Sequence, residues 1–309
     1  MNAADDLSHY LHSRRSEIEA ALVARLPSPP LCPASVADAM RYSVTAGGKR
    51  LRPILCLASA EAVGGDRRLA MPVACALEFI HTYSLVHDDL PAMDDDTLRR
   101  GRPTLHVVAG EWMAILAGDG LLTEAFALLA REPAGNEPAL LARKVRVIGI
   151  VAAGAGAAGM VGGQAIDIES VTRVPDRSPR APLDADALRG MHARKTGALI
   201  RAAATAGAVM GGGDDDQIDA IARAAAELGL AFQIVDDVLD VEGASADLGK
   251  TAGKDAATGK PTYPALYGLL ASRQMAAECL ERAVATLQRI DLADSRLVQI
   301  GRWIVERSN

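Results

Sequence analysis

IDAIARAAAELGLAFQIVDDVLD, residues 218–240, decides the fold class. Its apolar residues recur at helical spacing, with none of the period-two alternation of a half-buried strand. The same spacing returns in SEIEAALVARL (16–26) and MAILAGDGLLTEAFALLA (113–130). Alanine, the strongest helix former, is abundant throughout. No segment sustains alternating β-branched and aromatic residues, so the expectation is an all-α protein. Its breaks are rich in Pro and Gly: PSPPLCP (27–33), REPAGNEP (131–138), VPDRSPRAP (174–182) and GGGDDD (211–216). Long apolar helices flank each break, so residues 1–309 read as one helical domain, with a mobile loop expected at 170–183.

The end of that first stretch also carries chemistry. Asp236 and Asp240 stand at i and i+4, so their carboxylates leave one helix face a turn apart; Asp237 is expected to point partly away. Five more aspartates crowd into HDDLPAMDDD (87–96): Asp88, Asp89, Asp94, Asp95 and Asp96. Pro91 cannot continue a helical hydrogen-bond ladder, so the helix should end or bulge near Leu90 and bring Asp94 back towards Asp88. Packing so many like charges costs free energy unless a cation lies among them. Carboxylates are hard oxygen donors, and Mg2+ takes one or two of them and fills its other positions with water and phosphate. One such run alone reads equally well as a solvated loop; two runs, each after an apolar helix, favour a shared metal and diphosphate site.

Basic residues sit beside both runs. GGKRLRP (47–53) supplies Lys49, Arg50 and Arg52; Arg99 and Arg100 follow the first run; Lys195 lies in ARKTGALI; Lys250, Lys254 and Lys260 follow the second. Arg suits bidentate phosphate contacts and Lys serves as a point charge. The GxxxxGK[ST] pattern of a P-loop is absent. With 33 Lys and Arg against 39 Asp and Glu, the net charge is −6 and there is no basic tail, which excludes nucleic acid as the main partner. Four dispersed cysteines, Cys32, Cys56, Cys75 and Cys279, form no CxxC pair and suit a reducing, cytoplasmic setting. No secretory signal is expected, and no membrane span. The uncharged, Ala- and Gly-rich stretch 147–166 reads as a closely packed buried helix.

GGKRLRP, HTYSLVHDDLPAMDDDTLRRGRPTLH, ILAGDGLL, GMVGGQAIDIE, HARKTGALI, GLAFQIVDDVLDVEG and LGKTAGKDAATGKPTYPAL resemble, in this order, the motifs of trans-prenyltransferases, most of all the bacterial farnesyl diphosphate synthase type. The resemblance runs from about residue 36 to the C-terminus. It implies an all-α isoprenoid-synthase fold, a helical bundle around a deep central cavity, usually a homodimer. The implied reaction is Mg2+-dependent, head-to-tail condensation of isopentenyl diphosphate with dimethylallyl or geranyl diphosphate.

Carried over by position, Asp88, Asp94 and Asp236 would bind metal, supported by Asp89 and Asp240. Arg99, Lys195 and Lys260 would contact the allylic diphosphate, with Lys250 in the same basic wall. Lys49, Arg52, His81 and Arg100 would hold isopentenyl diphosphate. Thr196 and Gln233 would flank the reacting carbons, and Gln164 and Asp167 match a family motif that is open to a packing role. Tyr83 and Ser84, five and four residues before Asp88, would set product length: a bulky Tyr83 implies mainly farnesyl diphosphate, unless it is simply a core aromatic. Thr97, Ala109 and Trp112 depart from the family pattern. The alternatives are a geranylgeranyl or geranyl diphosphate synthase, a class I terpene cyclase, and a non-catalytic prenyltransferase subunit. DDVLD lacks the Asn, Ser or Glu of cyclase motifs, and both acidic runs are retained.

Overall fold

The computed structural model describes residues 3–171, 183–246 and 262–307. Most of the expected loop at 170–183, together with Lys250, Lys254 and Lys260, lies outside the described residues. The all-α expectation holds: the described chain is a succession of helices, with one two-residue hairpin (β1, Leu98–Arg99; β2, Arg102–Pro103).

The chain divides into two compact units, residues 1–149 with 206–213, and residues 150–205 with 214–309. In the first, α1 (Ala3–Arg25), α2 (Ala34–Val44), α3 (Leu51–Ala62), α5 (Leu105–Ala109) and α6 (Glu111–Arg131) accompany a central helix, α4 (Arg67–Asp88). Asp66 caps α4 by accepting from the Arg68 N–H at 2.9 Å. Its middle, from Val73 to Ile80, is buried on every side, including Phe79 and Leu77 at 0 % exposure. A helix apolar all round is a core helix, and that burial fixes where its C-terminal Asp88 emerges.

Two further helices, α7 (Pro138–Ala155) and α8 (Met160–Val171), cover the stretch expected as one buried helix. That expectation needs correction. Residues 156–159 break the helix in two, and Ala152, Ala153, Ala157 and Ala158 are exposed. Small side chains do serve close packing at one point: a Cβ on Gly163 would come within 2.1 Å of the Lys195 backbone nitrogen. Arg67–Asp88, Glu111–Arg131 and Pro138–Ser170 are long and apolar enough to cross a membrane by length and composition. In the first, 78 % of the most apolar window is buried inside the protein, which accounts for its composition.

In the second unit, α9 (Ala185–His192) runs through a π-helical turn (Ala193–Gly197) into α10 (Ala198–Gly211), whose residues from Ala206 on belong to the first. The long α11 (Asp215–Ala246) packs on α13 (Leu269–Gln288) and α14 (Arg296–Glu306), with the short α12 (Tyr263–Tyr267) beside them. Leu188, Met191, Ala231, Ile234, Val235, Tyr263 and Cys279 form one core cluster here.

Among the described residues, Arg50 and Glu78 form a buried ion pair in the first unit. The Arg50 Nη1 donates to Glu78 Oε1 at 2.7 Å, Nη2 donates to the Val44 carbonyl at 2.7 Å, and the side chains are 3 % and 4 % exposed. Arg50 itself sits in the left-handed region at φ 51° as the N-cap of α3. Removing one partner leaves a buried charge uncompensated, a loss of about 3–5 kcal/mol. Glu78→Ala is therefore expected to lower the unfolding free energy from urea melts by that amount, and Glu78→Gln, which keeps an acceptor, by less.

Candidate active site

One cluster of candidate residues is built where α4 ends. A carboxylate at a helix C-terminus opposes the helix dipole, and here Asp88 and Asp89 stand at that end together. The chain then folds back as the Pro91 break predicts. The Asp94 N–H donates to the Asp88 carbonyl at 2.9 Å, and the Asp96 N–H to the Asp89 carbonyl at 3.2 Å. Asp88 and Asp94, six residues apart, thus meet at one end of one helix.

The hairpin after this loop delivers the arginines. Arg100 and Gly101 are its two turn residues, at φ 53° and 74°, the positive pair that a tight hairpin of matching twist requires. Arg99 turns back on Asp89: its Nε and Nη2 reach Asp89 Oδ1 at 2.7 and 2.6 Å. Asp89 is 4 % exposed. Burial pushes its carboxyl up, while Arg99 pulls the other way. Asp89 is therefore held by an arginine of its own hairpin, and its part in the acidic loop is to anchor Arg99. Arg100 reaches the opposite way, donating to the Gly47 carbonyl of the GGKRLRP loop.

That loop places Lys49, exposed, just before α3 and Arg52 in its first turn. Facing them on α4 is His81. Burial, and after it the positive charges of Arg52, Arg100, Arg99 and Arg50, hold its pKa well below the usual histidine value. A neutral imidazole ringed by arginines is a site poised for an anion.

Further down α4, the Ser84 hydroxyl donates to the His81 carbonyl at 2.9 Å. Tyr83 is buried, its ring edge-on to His87 with centroids 5.7 Å apart. Trp112, named above among the departures, is 63 % exposed at the start of α6, so it does not line the interior of this unit.

A separate cluster of candidate residues lies in the other unit. The π-helical turn carries Lys195 and Thr196. Such turns, which slip one extra residue into a helix, recur at functional sites. Lys195 Nζ donates to Asp167 Oδ2 at 2.5 Å, and Asp167, on α8, is 5 % exposed. Asp167 is thus the counter-ion of Lys195, a role its motif alone left open. Gln164, in the same motif, has a buried side-chain amide without a hydrogen-bond partner among the described residues.

On α11, Asp236 accepts from Arg307 Nη2 at 2.6 Å, and that guanidinium stacks over the Phe232 ring at 4.2 Å. Arg307 was missed in the sequence, since a single cation near the C-terminus carries no motif. Asp240 lies on α11 one turn beyond Asp236, half-buried. Asp237 takes partners other than Arg307, the partner of Asp236. It is 5 % exposed, with Oδ1 accepting from Gln233 Nε2 at 2.9 Å and Oδ2 from the Tyr263 N–H at 3.0 Å. The Gln233 bond is an i,i+4 contact along α11, whereas the backbone N–H that α12 supplies left no mark in the sequence around Asp237. The Thr196 hydroxyl donates to Gln233 Oε1 at 2.9 Å.

With this geometry in hand, known proteins provide the frame. The polyprenyl synthetase family matches residues 33–294. The chain belongs to that family. It is 44 % identical to a geranylgeranyl diphosphate synthase of Cyanophora paradoxa over 98 % of this chain and 97 % of the relative. It is 42 % identical to a farnesyl diphosphate synthase of Geobacillus stearothermophilus over 98 % of both. The crystal structure of an FPP/GFPP synthase from Zymomonas mobilis superposes with a TM-score of 0.84 at 36 % identity, covering 98 % of this chain and 99 % of the other. The all-α isoprenoid-synthase fold and membership among prenyltransferases follow.

One titration is readable near the π turn. Burial lowers the His192 pKa to about 4, with Lys195 adding to the effect and Asp167 opposing it. The unfolded chain, with histidine near its ordinary 6.5, binds the proton more readily. Stability from the neutral ring is thus complete above pH 6.5 and is lost as pH falls towards 4, by about 3 kcal/mol in all. Urea melts of His192→Gln are expected to show a shallower loss than the wild type across pH 6.5–4.

Proposed function

We propose that the protein joins isopentenyl diphosphate head to tail to an allylic diphosphate, with farnesyl diphosphate as the main product. The observation that carries this reading is the basic cluster around His81 within one unit: burial first, and then the charges of Arg52 and Arg100 beside it, keep the histidine neutral. Lys49, Arg52, His81 and Arg100 would hold isopentenyl diphosphate there. Arg99 and Lys195, with Lys250 and Lys260 from outside the described residues, would bind the allylic diphosphate.

The donor set suits Mg2+. Asp88, Asp94, Asp236 and Asp240 offer only hard oxygens, and the 2.9 Å bond from Asp94 to Asp88 brings two of them to one helix end. Among the described residues no three ligating side chains converge on one point. Mg2+ takes few carboxylates and completes its shell with water and phosphate. When bound, Mg2+ supplies charge neutralisation for the leaving diphosphate.

The protein's own groups do the rest. As the allylic C–O bond breaks, its electron pair leaves with the diphosphate, and Lys195 and Arg99 stabilise the growing negative charge. Thr196 and Gln233 direct oxygen lone pairs at the cation left behind. The double bond of isopentenyl diphosphate attacks that carbon, and a proton is lost to the departing diphosphate. Apolar helix walls keep water from quenching the cation.

A second reading, geranylgeranyl diphosphate as product, is favoured by relatives that bear that name. A homodimer is supported by an exposed apolar strip on α5 and α6: Val107, Val108, Trp112, Ile115 and Leu116 are 45–63 % exposed; such strips mark association surfaces. Free thiols at all four cysteines, three of them buried, support a reducing, cytoplasmic location.

The deciding assay incubates the protein with isopentenyl diphosphate, each allylic diphosphate in turn and Mg2+, and sizes the products. Asp88→Ala, with the wild-type melting profile, and Asp236→Asn, which keeps an acceptor for the buried Arg307, should each lose more than a hundredfold in turnover, and chelation of Mg2+ should do the same reversibly. Near-normal turnover in either variant sinks the shared metal site. Tyr83→Ala should shift the main product from fifteen to twenty carbons. An unchanged product, or a wild type that already makes twenty, assigns the length limit to another residue.

A further inference from the structure

Asp237 follows a candidate metal ligand, yet its carboxylate is turned away from that task. It is buried, and its two oxygens have different partners: Gln233 Nε2 at 2.9 Å and the Tyr263 N–H at 3.0 Å. An ionised carboxylate can only accept hydrogen bonds, whereas a glutamine side chain has a donating and an accepting end. Asp237 therefore fixes which end of Gln233 goes where. The NH2 group must face Asp237, and Oε1 must face the opposite way, where it accepts from the Thr196 hydroxyl at 2.9 Å. That bond commits the only Thr196 hydroxyl hydrogen, so what Thr196 presents to its remaining surroundings is lone pairs. One carboxylate thereby sets two side chains, on α11 and on the π-helical turn, as acceptors.

We infer that Asp237 is a positioning residue for the reaction: it holds the Gln233 amide oxygen-forward, so that Gln233 and Thr196 offer lone pairs rather than N–H or O–H hydrogens to the allylic cation. This rests on the reading under Proposed function that these two side chains flank the reacting carbons. The reason is electrostatic. Oriented dipoles act without reorganisation only if their sign is right before the charge develops. A flipped Gln233 would aim an NH2 group at Thr196, turn the hydroxyl hydrogen outward, and oppose the cation twice. The Tyr263 N–H ties the same carboxylate to the first turn of α12, so the arrangement is locked from two elements.

The test exploits donor and acceptor counting. Asp237→Asn leaves only one acceptor for two donors, Gln233 Nε2 and the Tyr263 N–H. Keeping the Tyr263 bond forces the new amide to donate to Gln233, which then flips. Adding Gln233→Glu restores the pattern. The glutamate accepts from both the asparagine and Thr196, the asparagine oxygen accepts from Tyr263, and the total charge is unchanged.

Asp237→Asn should lower kcat ten- to a hundredfold. The KM for the allylic diphosphate and the Mg2+ concentration giving half activity should both stay within twofold. The double variant should recover at least tenfold over the single, or to within threefold of wild type. An unaltered kcat in Asp237→Asn overturns the inference. So does a kcat loss with a many-fold rise in the Mg2+ requirement, which would make Asp237 a metal ligand. So does a double variant no better than the single one. If Asp237→Asn does not fold by thermal melt, the double variant is read against wild type alone, and a kcat more than tenfold low overturns it. A wild type that makes no condensation product at all overturns both this and the function it rests on.

Discussion

Carboxylates drawn out of water must be matched by positive charge, and each unit meets that constraint with cations of its own. Asp88 and Asp89 emerge where the α4 dipole is already negative. The protein answers with the hairpin, whose Arg99 closes on Asp89. In the other unit, Asp167 meets Lys195 and Asp236 meets Arg307. Each pair holds a long, flexible cation in one place before any diphosphate arrives. These pairs add little net stability, because burying both charges costs nearly what their attraction returns; their value is the fixed direction of the groups.

How far the sequence could be read follows from the kind of signal each feature leaves. Helices left a period, so the all-α fold was plain. Pro91 left a mechanical consequence, and the return of Asp94 to Asp88 followed from it. Buried side chains that depend on a distant backbone group left nothing: Asp237 needed the Tyr263 N–H, 26 residues on. Arg307 lay 71 residues beyond its partner Asp236. The stretch 147–166 misled because alanine and glycine signal close packing and helix breaks alike. Gly163 does the first; the turn at 156–159 is the second.

The local basic residues also show why total charge is a poor guide to a site. The chain is net acidic at −6, yet His81 is kept neutral by burial and, after it, by the charges of nearby arginines. An anionic substrate is drawn by that local field, and its binding would raise the histidine pKa again. The two effects are one linkage seen from either side.

The π-helical turn at Ala193–Gly197 has a consequence for how this region can change over time. It holds one residue more than an α-helix needs, and each residue of an α-helix advances about 100° around the axis. Deleting one residue there would restore an ordinary helix whose flanks keep their phase, but the side chains inside the turn would be re-aimed by about 100° each, so Lys195 or Thr196 would leave the direction it now holds. Point substitutions keep the extra residue and leave that aim untouched.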